Sequence, residues 1–106
     1  MTAQEMTEYA LRNKLRNSWG IMDAQEIKQT VSFASDSWRL ELIELSAFSL
    51  VADPTYRNRS KAHPIVLRLD DDSHGNRHYD VLDGRFRIAM AKARGDVSII
   101  AWVGRR

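Results

Sequence analysis

The run from His78 to Val103 constrains this chain more than any other part of it. His78-Tyr79-Asp80-Val81-Leu82 alternates polar and apolar side chains, the period of a half-buried strand. Asp83-Gly84 is a turn pair. Arg85 to Arg94 then places Phe86, Ile88, Ala89, Met90, Ala91 and Ala93 without a breaker until Gly95, which describes a helix closed by a glycine cap. Ser98-Ile99-Ile100-Ala101-Trp102-Val103 follows as a buried strand. A helix held between two strands packs on the sheet they belong to, so the run predicts an α+β domain.

The segments before it fit that reading. Pro64 leads into Ile65-Val66-Leu67-Arg68-Leu69, a short β-branched strand, and the polar turn at residues 70–76 makes it a hairpin with the strand at His78. Trp38-Arg39-Leu40-Glu41-Leu42-Ile43-Glu44-Leu45 opens with apolar and charged residues in alternation, a further half-buried strand, after which Ser46 is placed to cap one helical turn through Leu50. Upstream, Met6, Tyr9, Ala10, Leu11 and Leu15 recur at helical spacing, predicting a helix over residues 2–18 with Gly20 as its cap. Asp23 and Glu26 form a capping-box pattern ahead of Ile27, Val31 and Ala34, a second helix that ends at Ser35-Asp36-Ser37. The division that results is a helical extension over residues 1–36 and a small mixed β-sheet with packed helices over residues 37–106. The two helices are expected to pack on the sheet, with a dimerising or partner-binding arm as the alternative.

Composition then limits the function. A chain of 106 residues, 43% hydrophobic and 28% charged, makes one compact core. No stretch approaches the roughly 20 apolar residues of a membrane span, and the start lacks a secretion signal, so a cytoplasmic protein without a membrane partner is expected. The chain contains no cysteine, which excludes disulfides, thiolate metal sites and a cysteine nucleophile. Residues 1–52 carry a net charge of −2 and residues 53–106 a net +4, so an anionic ligand is expected in the second half. Of its 16 basic residues, 12 are Arg, the residue whose planar fork matches phosphate and carboxylate.

Gly84 at the strand-to-helix junction lets the backbone approach a ligand, and a helix start favours an anion. Arg85 and Arg87 add charge-assisted hydrogen bonds to phosphate oxygens. The polar segment of residues 53–63 reads as an exposed loop, and Tyr56, Arg57, Arg59 and Lys61 within it are candidates for phosphate contact and base stacking on a nucleic acid. Asp70, Asp71, Asp72, His74 and His78 read as a solvated hairpin turn rather than a metal cluster.

Together these residues resemble the ParB/sulfiredoxin superfamily. Val81 to Gly95, with Ile99 to Val103 after it, is similar to the family's Gly-x-x-Arg loop, alanine-rich helix ending in Gly, and closing strand. Asp53-Pro54-Thr55-Tyr56-Arg57 is similar to its Asn-Pro-x-x-x-Arg box, and His63-Pro64-Ile65-Val66-Leu67 to its Gln-Pro-Ile-x-Val strand entry. The resemblance implies that a nucleoside triphosphate, ATP or CTP with Mg²⁺, is cradled by Gly84 and Arg87, with Asp83, Arg85 and Arg57 beside them. Slow NTP hydrolysis or nuclease action on DNA, in a stand-alone plasmid or phage accessory protein, belongs to the range it implies, with Asp83 or Asp80 nearest to a nucleotide-bound metal.

Departures narrow this further. Sulfiredoxins carry Cys and His between the Gly and the Arg, where this chain has Arg85 and Phe86, so sulfinic-acid reduction is excluded. Partition-type ParB proteins carry Glu at the position of Arg85 and a helix-turn-helix domain after this one, so operator binding by such a domain is not expected. The alternative reading is an interaction module that keeps the scaffold and binds protein or nucleic acid without turnover, and no catalytic residue is assigned.

Overall fold

A computed structural model describes residues 1–13, 16–17, 20–21, 23–50, 52, 64–71 and 77–105. The order is α1 (Ala3–Arg12), β1 (Arg16–Asn17), β2 (Gly20–Ile21), α2 (Ala24–Ala34), β3 (Ser37–Glu44), a 3₁₀ turn (Leu45–Ala47), β4 (Ile65–Asp71), β5 (Arg77–Asp83), α3 (Arg85–Ala93) and β6 (Ser98–Arg105). The product is a small α+β domain. Among the described residues no helix is long and apolar enough to cross a membrane.

Strands β3 to β6 form one mixed sheet in the order β3-β6-β4-β5. β6 runs parallel to β4, with Val66 beside Trp102 and Arg68 beside Gly104, and the other pairings are antiparallel. Because side chains alternate between faces, each central strand serves two cores. Ile65, Leu67 and Leu69 of β4 join Ala101 and Val103 of β6 and Ile43 of β3 under Ile88 and Ala91 of α3. Val66 and Trp38 face the other way, into a cluster with Met6 and Ala10 of α1 and Ile27, Val31 and Ala34 of α2. The two N-terminal helices therefore bury their apolar stripes against the sheet.

Caps explain the helix ends. Thr2 accepts from the Glu5 N–H at 3.2 Å while the Glu5 carboxylate accepts from the Thr2 N–H at 3.1 Å, a complete capping box. Asp23 accepts from the Glu26 N–H at 2.8 Å. At the end of α3, Gly95 adopts φ +79°, and the Gly95 and Asp96 N–H groups bond the Lys92 and Ala91 carbonyls, both at 3.0 Å. That is a Schellman closure, and it places the glycine cap where the sequence predicts one.

Four expectations are corrected. The first helix stops at Arg12 instead of running to Ser18, because the Asn13 side chain donates to the Tyr9 carbonyl at 2.8 Å and closes the last turn. Gly20 is no cap, since it pairs with Asn17 in the two-residue strands that follow. The helical turn after β3 begins at Leu45, one residue before Ser46, and no side chain caps it. β6 is also longer than expected, and its Ile100 is exposed at 47%.

Candidate functional site

The turn between β5 and α3 is built by a register slip. Leu67 pairs with Val81, but Val66 pairs with Asp83, so Leu82 is an extra residue in β5. The slip moves Asp83 to the face of the sheet that carries Val66 and, next along the row, Trp102. Leu82 packs against the same cluster, on the face of the sheet that α1 and α2 cover.

Gly84 then reverses the chain. It sits at φ +107°, a left-handed conformation, and a Cβ there would lie 2.2 Å from Ile65 Cγ2. Only glycine fits both demands. The turn is tight enough for α3 to start directly over the sheet, with the Ile88 N–H bonded to the Gly84 carbonyl at 3.0 Å.

Of the residues singled out in the sequence, Asp83, Gly84 and Arg87 come together. Arg87 donates to Asp83 at 3.1 Å, and the two side chains are 17% and 9% exposed. Arg85 is exposed on the first turn of α3, and Phe86 between the arginines is half exposed. The guanidinium of Arg85 is thus turned to solvent, while the charge of Arg87 is met by Asp83. Tyr56, Arg57, Arg59, Lys61 and His63 lie outside the described residues, as do Asp72 and His74.

Two residues join the site that the sequence marks only as parts of a helix and a strand. Tyr9 of α1 stands edge-on to Trp102 with ring centroids 5.8 Å apart. Burial pushes the Tyr9 hydroxyl above the usual tyrosine range; the neighbouring Trp102 side chain and the charges of Arg87 and Arg12 oppose this, and Asp83 adds to it. Tyr9 thus lies in the field of the Asp83–Arg87 pair. No local pattern announces this, because the contact depends on α1 folding over the slipped end of β5.

Two acidic side chains of the β4–β5 hairpin, Asp70 and Asp80, are engaged within it. Arg68 donates to Asp70 at 2.8 Å and through Nε to Asp80 at 3.1 Å, and His78 lies 3.0 Å from Asp80. Among the described residues no group of three His, Asp or Glu converges on one point. Asp80, a candidate for a nucleotide-bound metal, is held by Arg68 instead. A groove of about 700 Å³ lies between α2 and the sheet, lined by Thr30, Phe33, Arg68 and Leu82 among others and by no residue of the β5–α3 turn.

Fold and turn define a small α+β domain with an arginine-bearing strand-to-helix junction. Compared with protein-family profiles, curated proteins and solved structures, the chain matches none.

Proposed function

We infer that the β5–α3 turn binds the phosphates of a nucleoside triphosphate, ATP or CTP with Mg²⁺, in a ParB/sulfiredoxin-like domain. The observation that carries this reading is Gly84, held left-handed against Ile65 so that α3 begins directly after β5, with two arginines in its first turn. Arg85 is the outward cation that meets the phosphates, and Arg87, two residues on, is oriented by Asp83. The half-exposed ring of Phe86 offers a stacking surface to the base. Composition alone supports the loop with Tyr56, Arg57, Arg59 and Lys61 as a DNA contact.

One observation favours the second reading, an interaction module that keeps the scaffold and has no turnover. Arg87 already has a carboxylate within its own chain, which accounts for the arginine structurally. Thermal shift of the full chain with ATP, CTP and GTP, with and without Mg²⁺, separates the two readings. Nucleotide binding raises the melting temperature, because a ligand that binds only the native state stabilises it. Arg85→Ala is the clean control: the side chain is exposed, so the unliganded protein melts as before and the nucleotide effect is lost. A flat response to every nucleotide leaves the interaction module.

A further inference from the structure

The first turn of α3 carries the wrong sign of charge for a helix start. Aligned peptide dipoles put a partial positive charge at that end, which favours Asp and Glu and disfavours cations. α1 and α2 follow the rule with Glu5 and Glu26 in their first turns, whereas α3 has Arg85 and Arg87 there and no acidic residue. The offsetting carboxylate comes from the strand before it. Asp83, the last residue of β5, accepts from Arg87 Nη2 at 3.1 Å.

The same nitrogen lies over the turn. The position that a Cβ would take on Gly84 is 3.1 Å from Arg87 Nη2, so the arginine folds back across the glycine and lays its guanidinium against the start of the helix. The missing side chain leaves the room that it uses. Among these residues the turn holds two guanidinium groups, of Arg85 and Arg87, and the one carboxylate of Asp83, which leaves positive charge in surplus beside the positive end of the helix.

We propose that Asp83 is a built-in competitor for the anion at this turn: its carboxylate holds the place on Arg87 that a phosphate takes in the complex, and binding exchanges one for the other. The proposal rests on the phosphate-binding reading of the turn and adds to it what sets the affinity. An anion seated over Gly84 meets Arg87 Nη2, the nitrogen that Asp83 already engages. Carboxylate and phosphate oxygens use the guanidinium in the same fork geometry, so the two compete for it.

Asp83 cannot withdraw from the turn. The register slip pairs it with Val66 and fixes its backbone at the end of β5, so after the exchange only side-chain rotation separates its carboxylate from the phosphate. Two anions then stand close together in a poorly solvated place, and their repulsion keeps binding weak. Without ligand, the pair spares Arg87 the cost of an unmatched charge where its side chain is mostly buried. Arg85, exposed on the same turn, makes the first contact.

Calorimetric titration of the full chain with inorganic tripolyphosphate tests the exchange. Asp83→Asn keeps the shape of the side chain and an oxygen for Arg87 but removes the charge, and it is expected to bind tripolyphosphate at least several-fold more tightly than the wild type. Arg87→Met is expected to weaken binding. In that background Asp83→Asn should lose most of its effect, because no guanidinium is left to release. The carboxylate carbon resonance of Asp83 in the wild type should also move as tripolyphosphate saturates the protein, which reads the exchange even if the substituted chain fails to fold.

Equal affinities of the wild type and Asp83→Asn overturn the proposal and leave the phosphate reading of the turn intact. So does a gain from Asp83→Asn that is undiminished beside Arg87→Met, which makes Asp83 a repelling charge and no competitor. An Asp83 resonance that ignores the ligand has the same force. Absence of binding in all of these proteins removes the phosphate reading itself, and the proposal with it.

Discussion

Asp83 and Arg87 face each other across the first turn of α3, carboxylate to guanidinium at 3.1 Å, and both are mostly buried. Removing one member of such a pair costs more than the pair contributes, because the remaining charge stays in a poorly solvated place. Asp83→Ala is therefore expected to destabilise the protein by about 2–3 kcal/mol. Adding Arg87→Met should restore part of the loss. The measurement is urea denaturation of both single variants and the double variant. Coupling of about 1 kcal/mol or more is expected, whereas strictly additive losses would show that the pair is incidental to the fold.

Gly84 and Gly95 both have positive φ, but they differ in what a side chain would meet. At Gly95 an added Cβ has nothing within 4 Å, whereas at Gly84 it strikes Ile65 at 2.2 Å. Gly95→Ala is expected to cost about 1 kcal/mol from backbone strain alone. Gly84→Ala adds the clash and should cost about 2–4 kcal/mol. Equal melting temperatures for the two variants would contradict the close approach. For the same reason a Gly84 substitution does not isolate ligand binding from folding, and Arg85→Ala does.

The parts of this fold legible in the sequence are those where one face is buried over several turns or residues. Ile27, Val31 and Ala34 mark α2, Gly95 marks the end of α3, and the alternation at Trp38 marks β3. The Thr2–Glu5 capping box stands in the sequence too, as Thr-x-x-Glu. Other features depend on tertiary contact. β1 and β2 are two residues each, too short for any period to show. The slip at Leu82, which turns Asp83 toward Trp102 and Tyr9, follows from pairing with β4 and leaves no mark in the residues of β5. Asp83, Gly84 and Arg87 are legible as a group because they lie within five consecutive positions; Tyr9 reaches them only through the packing of α1.

Lys92 is a structural cation. Its ammonium donates to the Leu50 carbonyl at 2.8 Å and also to the Phe48 carbonyl, so α3 holds the segment after the 3₁₀ turn. Hydrogen bonds from a charged donor to backbone acceptors are worth more than neutral ones, and Lys92→Met is expected to cost about 1–2 kcal/mol. Denaturant titration reads the loss. Hydrogen exchange should locate it between Leu45 and Leu50, and an unchanged exchange pattern there would remove the clamp from the account.

The pH dependence at the alkaline end should report on Tyr9. Burial raises the folded-state pKa of its hydroxyl above the ordinary value near 10, so the folded protein favours the neutral phenol more than the unfolded chain does. The associated stability is fully present below the unfolded pKa and is lost as pH rises through the folded pKa. In Tyr9→Phe that alkaline loss should shrink. Tyrosinate absorbance should also lose a component titrating above the usual range. Since Asp83 adds to the rise and Arg87 opposes it, Arg87→Met should shift that component further up and Asp83→Asn should shift it down. A component that ignores both substitutions would place Tyr9 outside the field of the pair, and with it outside the site.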